Sequence, residues 1–212
     1  MVKKEKFNKN YPTAVSVFNK WAEKGKDVGM ENGHQESVNY MFDQIKPYLR
    51  KPFSALDIGC GNGWVVRKFN KFKNCKSAIG VDGAKKMIEK AKAVDAKNKY
   101  ICADLLTWIP TQKFDIIHSM EVLYYLEEPD RLLKKIYTKY LNENGCFIFG
   151  IDHYLENKPS NCWPVDVGVN MNTKPILFWI DEMKIAGFKN IKYFQFGAKD
   201  DWLGTLVIYG EK

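Results

Sequence analysis

The sequence predicts an α/β protein with a doubly wound, mostly parallel seven-stranded sheet whose last strand runs antiparallel. Three observations predict it. From residue 53 to residue 151, short apolar runs alternate with amphipathic helical stretches, as in parallel strands joined by crossover helices. The first run leads into Gly59-Cys-Gly-Asn-Gly63, with glycine at alternate positions. Such a turn lets backbone pass close to a ligand that any Cβ would displace. Finally, the last two runs are separated only by Gly197-Ala-Lys-Asp-Asp201, a hairpin, so one terminal strand must reverse direction.

Each element follows from its pattern. Residues 1–10 form a polar tail. From Pro12, Ala14, Val17, Phe18 and Trp21 keep helical spacing, and the helix ends near Gly25. A polar turn over Gly29–Gly33 then leads to a second helix with Val38, Met41, Phe42 and Ile45 inward, stopped around Pro47. The strands are expected at Phe53–Ile58, Ser77–Val81, Lys99–Cys102, Phe114–Met120 and Cys146–Ile151. Between them, helices are expected at Asn62–Phe72, Ala84–Ala93 and Pro129–Leu141, with Leu132, Leu133 and Ile136 on the buried side of the last. A helix near Thr173–Ala186 stops at Gly187, and strands Lys192–Phe196 and Trp202–Tyr209 close the chain. This gives one domain over 1–212, with an N-terminal helical lid at 1–50. The core spans 51–212 and carries an irregular insertion at about 152–172.

Composition narrows the class. The 212 residues suffice for one domain with a substantial core, and 45% apolar with 27% charged residues is ordinary for a globular protein. No apolar run approaches the roughly 18 residues of a membrane helix, and no hydrophobic leader follows Met1-Val-Lys-Lys. Five cysteines without CxxC spacing read as reduced thiols, so a cytoplasmic protein without a metal site is expected. The net charge of +8 raises nucleic acid as a partner, but only three of the 33 cations are arginines and the lysines lie among Glu and Asp on helix faces. A solvated surface is the favoured reading.

The glycine spacing selects a ligand. An acid, Asp57, precedes the first glycine, and Asp82 ends the next strand, placed to accept hydrogen bonds from ribose hydroxyls. A dinucleotide fingerprint needs GxGxxG, but Trp64 stands where its last glycine belongs, and no GxxxxGK[ST] loop occurs. The run resembles the (D/E)xGxGxG motif of class I S-adenosylmethionine-dependent methyltransferases. Tyr100-Ile-Cys-Ala-Asp104-Leu105 and the stretch from Phe114 to Leu126 resemble that family's segments after strands three and four, in the same order.

This resemblance implies the Rossmann-like methyltransferase fold and S-adenosyl-L-methionine as cofactor. Asp57, Gly59, Gly61 and Gly63 would hold its amino-acid end, Asp82 the ribose, and Asp104 with Leu105 the adenine. Met120 would lie along the sulfonium. All of these fall at strand carboxyl ends, where open α/β sheets bind ligands.

Three segments can bring the methyl acceptor: the lid with Trp21, Met30, Glu31 and His34; Glu121-Val-Leu-Tyr-Tyr125; and Asp152-His-Tyr154 with the insertion behind it. His153 is the expected catalytic base. His34, Tyr124 and Tyr154 are the expected substrate contacts, while His118, inside a strand, reads as a packed core residue. DPPY and NPPY motifs are absent after strand four, as is a Pro-Cys nucleophile. The expected activity is methyl transfer to oxygen or nitrogen of a small metabolite. RNA or protein methylation and a non-catalytic activator subunit are the rival functions.

Overall fold

The computed structural model describes residues 7–212. Within them, β1 (Phe53–Ile58), β2 (Cys75–Asp82), β3 (Lys99–Cys102), β4 (Phe114–Met120), β5 (Leu141–Ile151), β6 (Lys189–Phe196) and β7 (Thr205–Glu211) form one sheet in the order β3-β2-β1-β4-β5-β7-β6. Strands β1 to β5 are mutually parallel. β7 lies antiparallel between β5 and β6, so the expected reversed strand is present. The strand order turns back between β1 and β4, and that crevice faces the glycine-rich turn.

Alternation along each strand feeds two cores, one on either face. Leu56 and Ile58 of β1, Ile117 of β4, and Phe147, Phe149 and Ile151 of β5 belong to one core. Ala55, Ile116, Cys146 and Ile148 belong to the other. The first core is closed by α6 (Pro129–Lys135), the short α7 (Trp163–Val167) and α8 (Ile176–Ala186). The second is closed by α2 (Asp27–Gln44), α3 (Lys46–Leu49), α4 (Trp64–Phe69) and α5 (Lys85–Val94).

At the chain start, α1 (Ala14–Glu23) is capped by the Thr13 hydroxyl, which accepts from Ser16 N–H. It packs beside α5, where the Asn19 side chain accepts the Lys86 N–H at 2.8 Å. None of the described helices is long and apolar enough to cross a membrane. All five cysteines are free thiols.

Two expectations are corrected. Residues 29–33 are helical, because α2 runs unbroken from Asp27 through both glycines. Gly29 and Gly33 lie on its exposed side, and tertiary contacts override their poor helix propensity. Asp27, buried at the first turn, binds Lys90 and Asn62, while Ser37 meets Thr205 at the start of β7 at 2.8 Å. Likewise the helix expected to Leu141 widens into a π turn at Ile136–Tyr140, and β5 starts at Leu141. Asn144 takes the left-handed conformation (φ 63°) within this longer β5.

Trp179 on α8 is fully buried against Phe149, and its indole N–H has no partner among the described residues. The residue therefore stabilises by area and packing alone. Trp179→Ala should cost about 3–5 kcal/mol. Trp179→Phe should cost no more than about half of that, because no hydrogen bond is lost. Urea unfolding of the two variants measures the difference.

Candidate active site

Strand β1 ends in a turn in which every second residue has left-handed backbone. Gly59, Gly61 and Gly63 have φ of 71°, 51° and 79°, a region that side-chain-bearing residues avoid. The turn is fastened to β2. Gly59 N–H and Cys60 N–H donate to the Val81 carbonyl at 2.8 and 3.1 Å. The Asp82 carboxylate accepts Gly61 N–H at 2.9 Å through one oxygen and Ala84 N–H at 2.7 Å through the other. Burial raises the Asp82 carboxyl, against the pull of those two backbone donors.

The glycines differ in purpose. A Cβ on Gly63 would lie 2.4 Å from the Tyr100 ring, and one on Gly59 would lie 2.1 Å from Val122. Both are required by the protein's own packing. A Cβ on Gly61 would meet no atom within 4 Å, because Gly61 borders a cavity.

That cavity opens at the carboxyl ends of the strands in two adjoining lobes. The larger, about 230 Å³, is lined by Asp82, Asp104, Leu105, Phe18 and Tyr125 among others. The smaller, about 60 Å³, is lined by Asp57, Asn62, Glu31 and His34. Gly59, Gly61, Met30, Met87, Met120 and Glu121 border both. A larger concavity of about 590 Å³ lies at the other end of the sheet, beside the starts of β1, β4 and β5. That is the end at which open α/β sheets do not place their sites.

Of the cofactor residues expected from sequence, all but Gly63 reach the two lobes. Asp57 is tied to His118, its neighbour across β1 and β4, at 2.7 Å between buried atoms. Burial raises its carboxyl, and the His118 hydrogen bond works in the opposite direction. His118 is fully buried, as expected. One oxygen of Asp104 accepts from Leu106 N–H, Thr107 N–H and the Thr107 hydroxyl, so that side chain also shapes its own turn.

The expected substrate contacts separate. His34 borders the smaller lobe. Tyr124 lies just behind the lining, its hydroxyl donating to Glu121 Oε2 at 2.6 Å. Tyr154 is buried, donating to the Gly204 carbonyl and accepting from Gln195. The expected base, His153, is fully buried and borders neither lobe. Its Nδ1 donates to the Ser160 carbonyl at 2.9 Å, and its Nε2 faces the Thr173 hydroxyl at 2.8 Å. Burial lowers its pKa. Ser160 of the insertion and Thr173 just beyond it engage the two nitrogens and hold the ring away from the cavity.

Two acids that the sequence placed in the acceptor segments without a role, Glu121 and Asp152, stand closer to the cavity than His153. Glu121 follows β4 with φ 59° and borders both lobes. Its Oε1 accepts Asp152 N–H at 2.5 Å, from the end of β5. Asp152 Oδ2 lies 3.5 Å from His34 Nε2, while His34 Nδ1 donates to the Met30 carbonyl at 2.7 Å. One ligand-capable atom from each of His34, Glu121 and Asp152 falls within 4.8 Å of the others.

Burial and the Asp152 charge push Glu121 up to about 8. Burial opposes protonation of His34, but its Asp152 contact and the charges of Glu121 and Asp152 outweigh it and raise the value to about 9. The available signal was position: each acid directly follows the last residue of a strand.

Comparison with known proteins agrees with this architecture. A family model described as a methyltransferase domain matches residues 56–149. The carboxy-S-adenosyl-L-methionine synthase of Nautilia profundicola is 27% identical over 139 residues, covering 63% of this chain and 59% of that protein. The ubiquinone biosynthesis O-methyltransferase of Pelagibacter ubique is 30% identical over 139 residues, covering 59% of this chain and 56% of that one. The chain thus spans less than two thirds of the length of these curated relatives.

Among solved structures, a chain of the complex that contains the Haloferax volcanii Trm112 methyltransferase activator has a TM-score of 0.75 at 23% identity. The match covers 92% of this chain and 96% of that one. The [4+2]-cyclase SpnF has a TM-score of 0.69 at 15% identity, covering 95% and 97%. At these identities the likeness establishes the fold and leaves the chemistry to the site.

Gly63→Ala should destabilise by roughly 2–4 kcal/mol, from backbone strain and the clash with Tyr100. Gly61→Ala should cost only about 1 kcal/mol of strain. Denaturant midpoints separate the two. His34 supplies a pH-dependent term whose sign follows from its raised value. The contribution is complete below the ordinary value of 6.5 and is lost as pH rises through about 9. The stability difference between wild type and His34→Gln should therefore shrink between these limits in urea titrations.

Proposed function

We propose that this chain, which carries a methyltransferase domain of the class I Rossmann-like fold, uses S-adenosylmethionine to methylate oxygen or nitrogen of a small metabolite. The observation that carries this reading is the two-lobed cavity. It is floored by the bare backbone of Gly61, edged by Asp82 and Asp104, and continuous past Met120 to an ionisable cluster.

These residues fit the cofactor. The Gly61 backbone leaves open the volume that a Cβ would take, and the Asp82 carboxylate keeps lone pairs for ribose hydroxyls beyond its two backbone bonds. Leu105 and Leu106 offer apolar surface beside Asp104 for a purine. Asp57 and Asn62 border the narrow lobe, where an amino-acid tail would end.

S-adenosylmethionine, when bound, supplies a methyl group already activated by a positive sulfur. The protein's remaining tasks are alignment, exclusion of water and, for a protonated acceptor, removal of a proton. Phe18, Tyr125 and Leu126 supply the apolar wall. Glu121 takes the acid–base role that the sequence suggested for His153, since it borders the cavity and His153 does not.

A small acceptor suits the cavity better than a polymer does. Among the described residues neither lobe is lined by lysine or arginine, the residues that nucleic-acid phosphates call for. The O-methyltransferase among the relatives points in the same direction.

Isothermal calorimetry with S-adenosylhomocysteine tests the cofactor assignment. Wild type should bind in the micromolar range, and Asp82→Ala should lose at least about 100-fold through its tether and ribose contacts. Gly61→Ala should lose at least about tenfold, since its methyl group would enter the cavity. Undiminished affinity in Asp82→Ala, or no binding by wild type, overturns the assignment. Labelled donor mixed with small-molecule, RNA and protein pools should place the label in the small-molecule pool.

A further inference from the structure

The acids in and just behind this cavity divide by what holds each: Asp82 and Asp104 accept backbone N–H groups, and the others face side chains. Asp27 holds Lys90 at 2.5 Å, Glu31 faces Arg67 at 3.7 Å, and Asp57 holds His118 at 2.7 Å. Glu121 and Asp152 share one base, His34. Asp152 is 8% exposed, and its Oδ1 is buried with no hydrogen-bond partner among the described residues. A carboxylate oxygen shut away without a donor costs free energy that a ligand's N–H or positive charge recovers. The cluster is therefore short of one hydrogen-bond donor, at the Asp152 oxygen just behind the lining of the smaller lobe.

The surroundings give that donor a shape. Phe18 and Tyr125 meet edge to face at 5.2 Å and both line the larger lobe. Such aromatic surface suits an apolar body and favours a nearby cation. A divalent metal ion is less well served. The cluster offers one ligand atom from each of three residues, one of them an imidazole nitrogen, whereas a hard cation takes six or more oxygen ligands.

We propose that the His34–Glu121–Asp152 cluster anchors the methyl acceptor by a protonated amino group, with Glu121 receiving its proton, so that the substrate class is an amine with an apolar body. This rests on the methyltransferase reading above. The ammonium N–H breaks and its proton passes to a Glu121 oxygen. The freed nitrogen lone pair then forms the bond to the methyl carbon, as the sulfur–methyl bond breaks and its electron pair returns to sulfur. The groups facing Glu121 are His34 from α2, Asp152 beyond β5, and Tyr124 and Tyr125 on its own segment. Its raised value, about 8, falls again beside an ammonium, which keeps proton exchange near neutrality.

The test is calorimetric and independent of turnover. Protein treated with EDTA and saturated with S-adenosylhomocysteine is titrated with 2-phenylethylamine, 2-phenylethanol and 3-phenylpropionate. The amine should bind at least about tenfold more tightly than the alcohol, and the carboxylate should not bind. Glu121→Gln and Asp152→Asn should each reduce the amine preference over the alcohol to about threefold or less. The proposal is overturned by equal binding of the three probes or no amine binding. It is also overturned by a preference that survives both substitutions, or by amine binding that appears only when magnesium or zinc is added. Failure of S-adenosylhomocysteine itself to bind would overturn the methyltransferase reading and this inference together.

Discussion

The site depends on the carboxylate of Asp82. By holding the N–H groups of Gly61 and Ala84 it joins the end of β2 to the turn after β1 and to the approach of α5. Left-handed glycines are entropically costly to order, and a turn containing three of them holds its shape only where neighbours over-determine it. Val81 supplies two further bonds from its carbonyl, so the turn is clamped from β2 by one side chain and one backbone oxygen. The cavity floor, the placement of Asn62 and the seating of the lid all follow from that clamp.

The lid is fastened to the same turn. Asn62 donates to both Asp27 and Glu31 of α2, and Arg67 on α4 donates to the Asn62 carbonyl at 2.6 Å. One turn of polypeptide thus organises the ligand floor on one side and the helix carrying His34 on the other. Half-buried charge networks of this kind contribute modestly to stability. Their larger effect is to fix the register of α2 over the cavity, bringing His34 to Asp152 across elements far apart in sequence.

The parts legible in the sequence were those written in backbone chemistry. Alternating glycines, an acid closing the next strand and a hairpin before the last strand each have one economical structural meaning, and Asp57, Gly61, Asp82, Asp104 and Met120 reached the cavity accordingly. Side-chain direction was not legible. His153 and Asp152 are adjacent at one strand end, and the choice between them depends on the insertion folding back so that Ser160 and Thr173 capture the imidazole. Glu121 was overshadowed by the tyrosines beside it, for the same reason. The turn expected at Gly29–Gly33 failed because local propensity is a weak prior when Asp27 and Ser37 secure the helix at separate points.

The left-handed backbone at Glu121 (φ 59°) limits how this pocket can diversify. Among side-chain-bearing residues, asparagine and aspartate are the ones that adopt that geometry readily, and glycine adopts it freely. Branched replacements such as valine or threonine would distort the chain before they altered selectivity. A designer or a drifting lineage seeking a different acceptor therefore has a short alphabet at this position. Larger changes in specificity have to be made around it, on the aromatic wall or along the helix above.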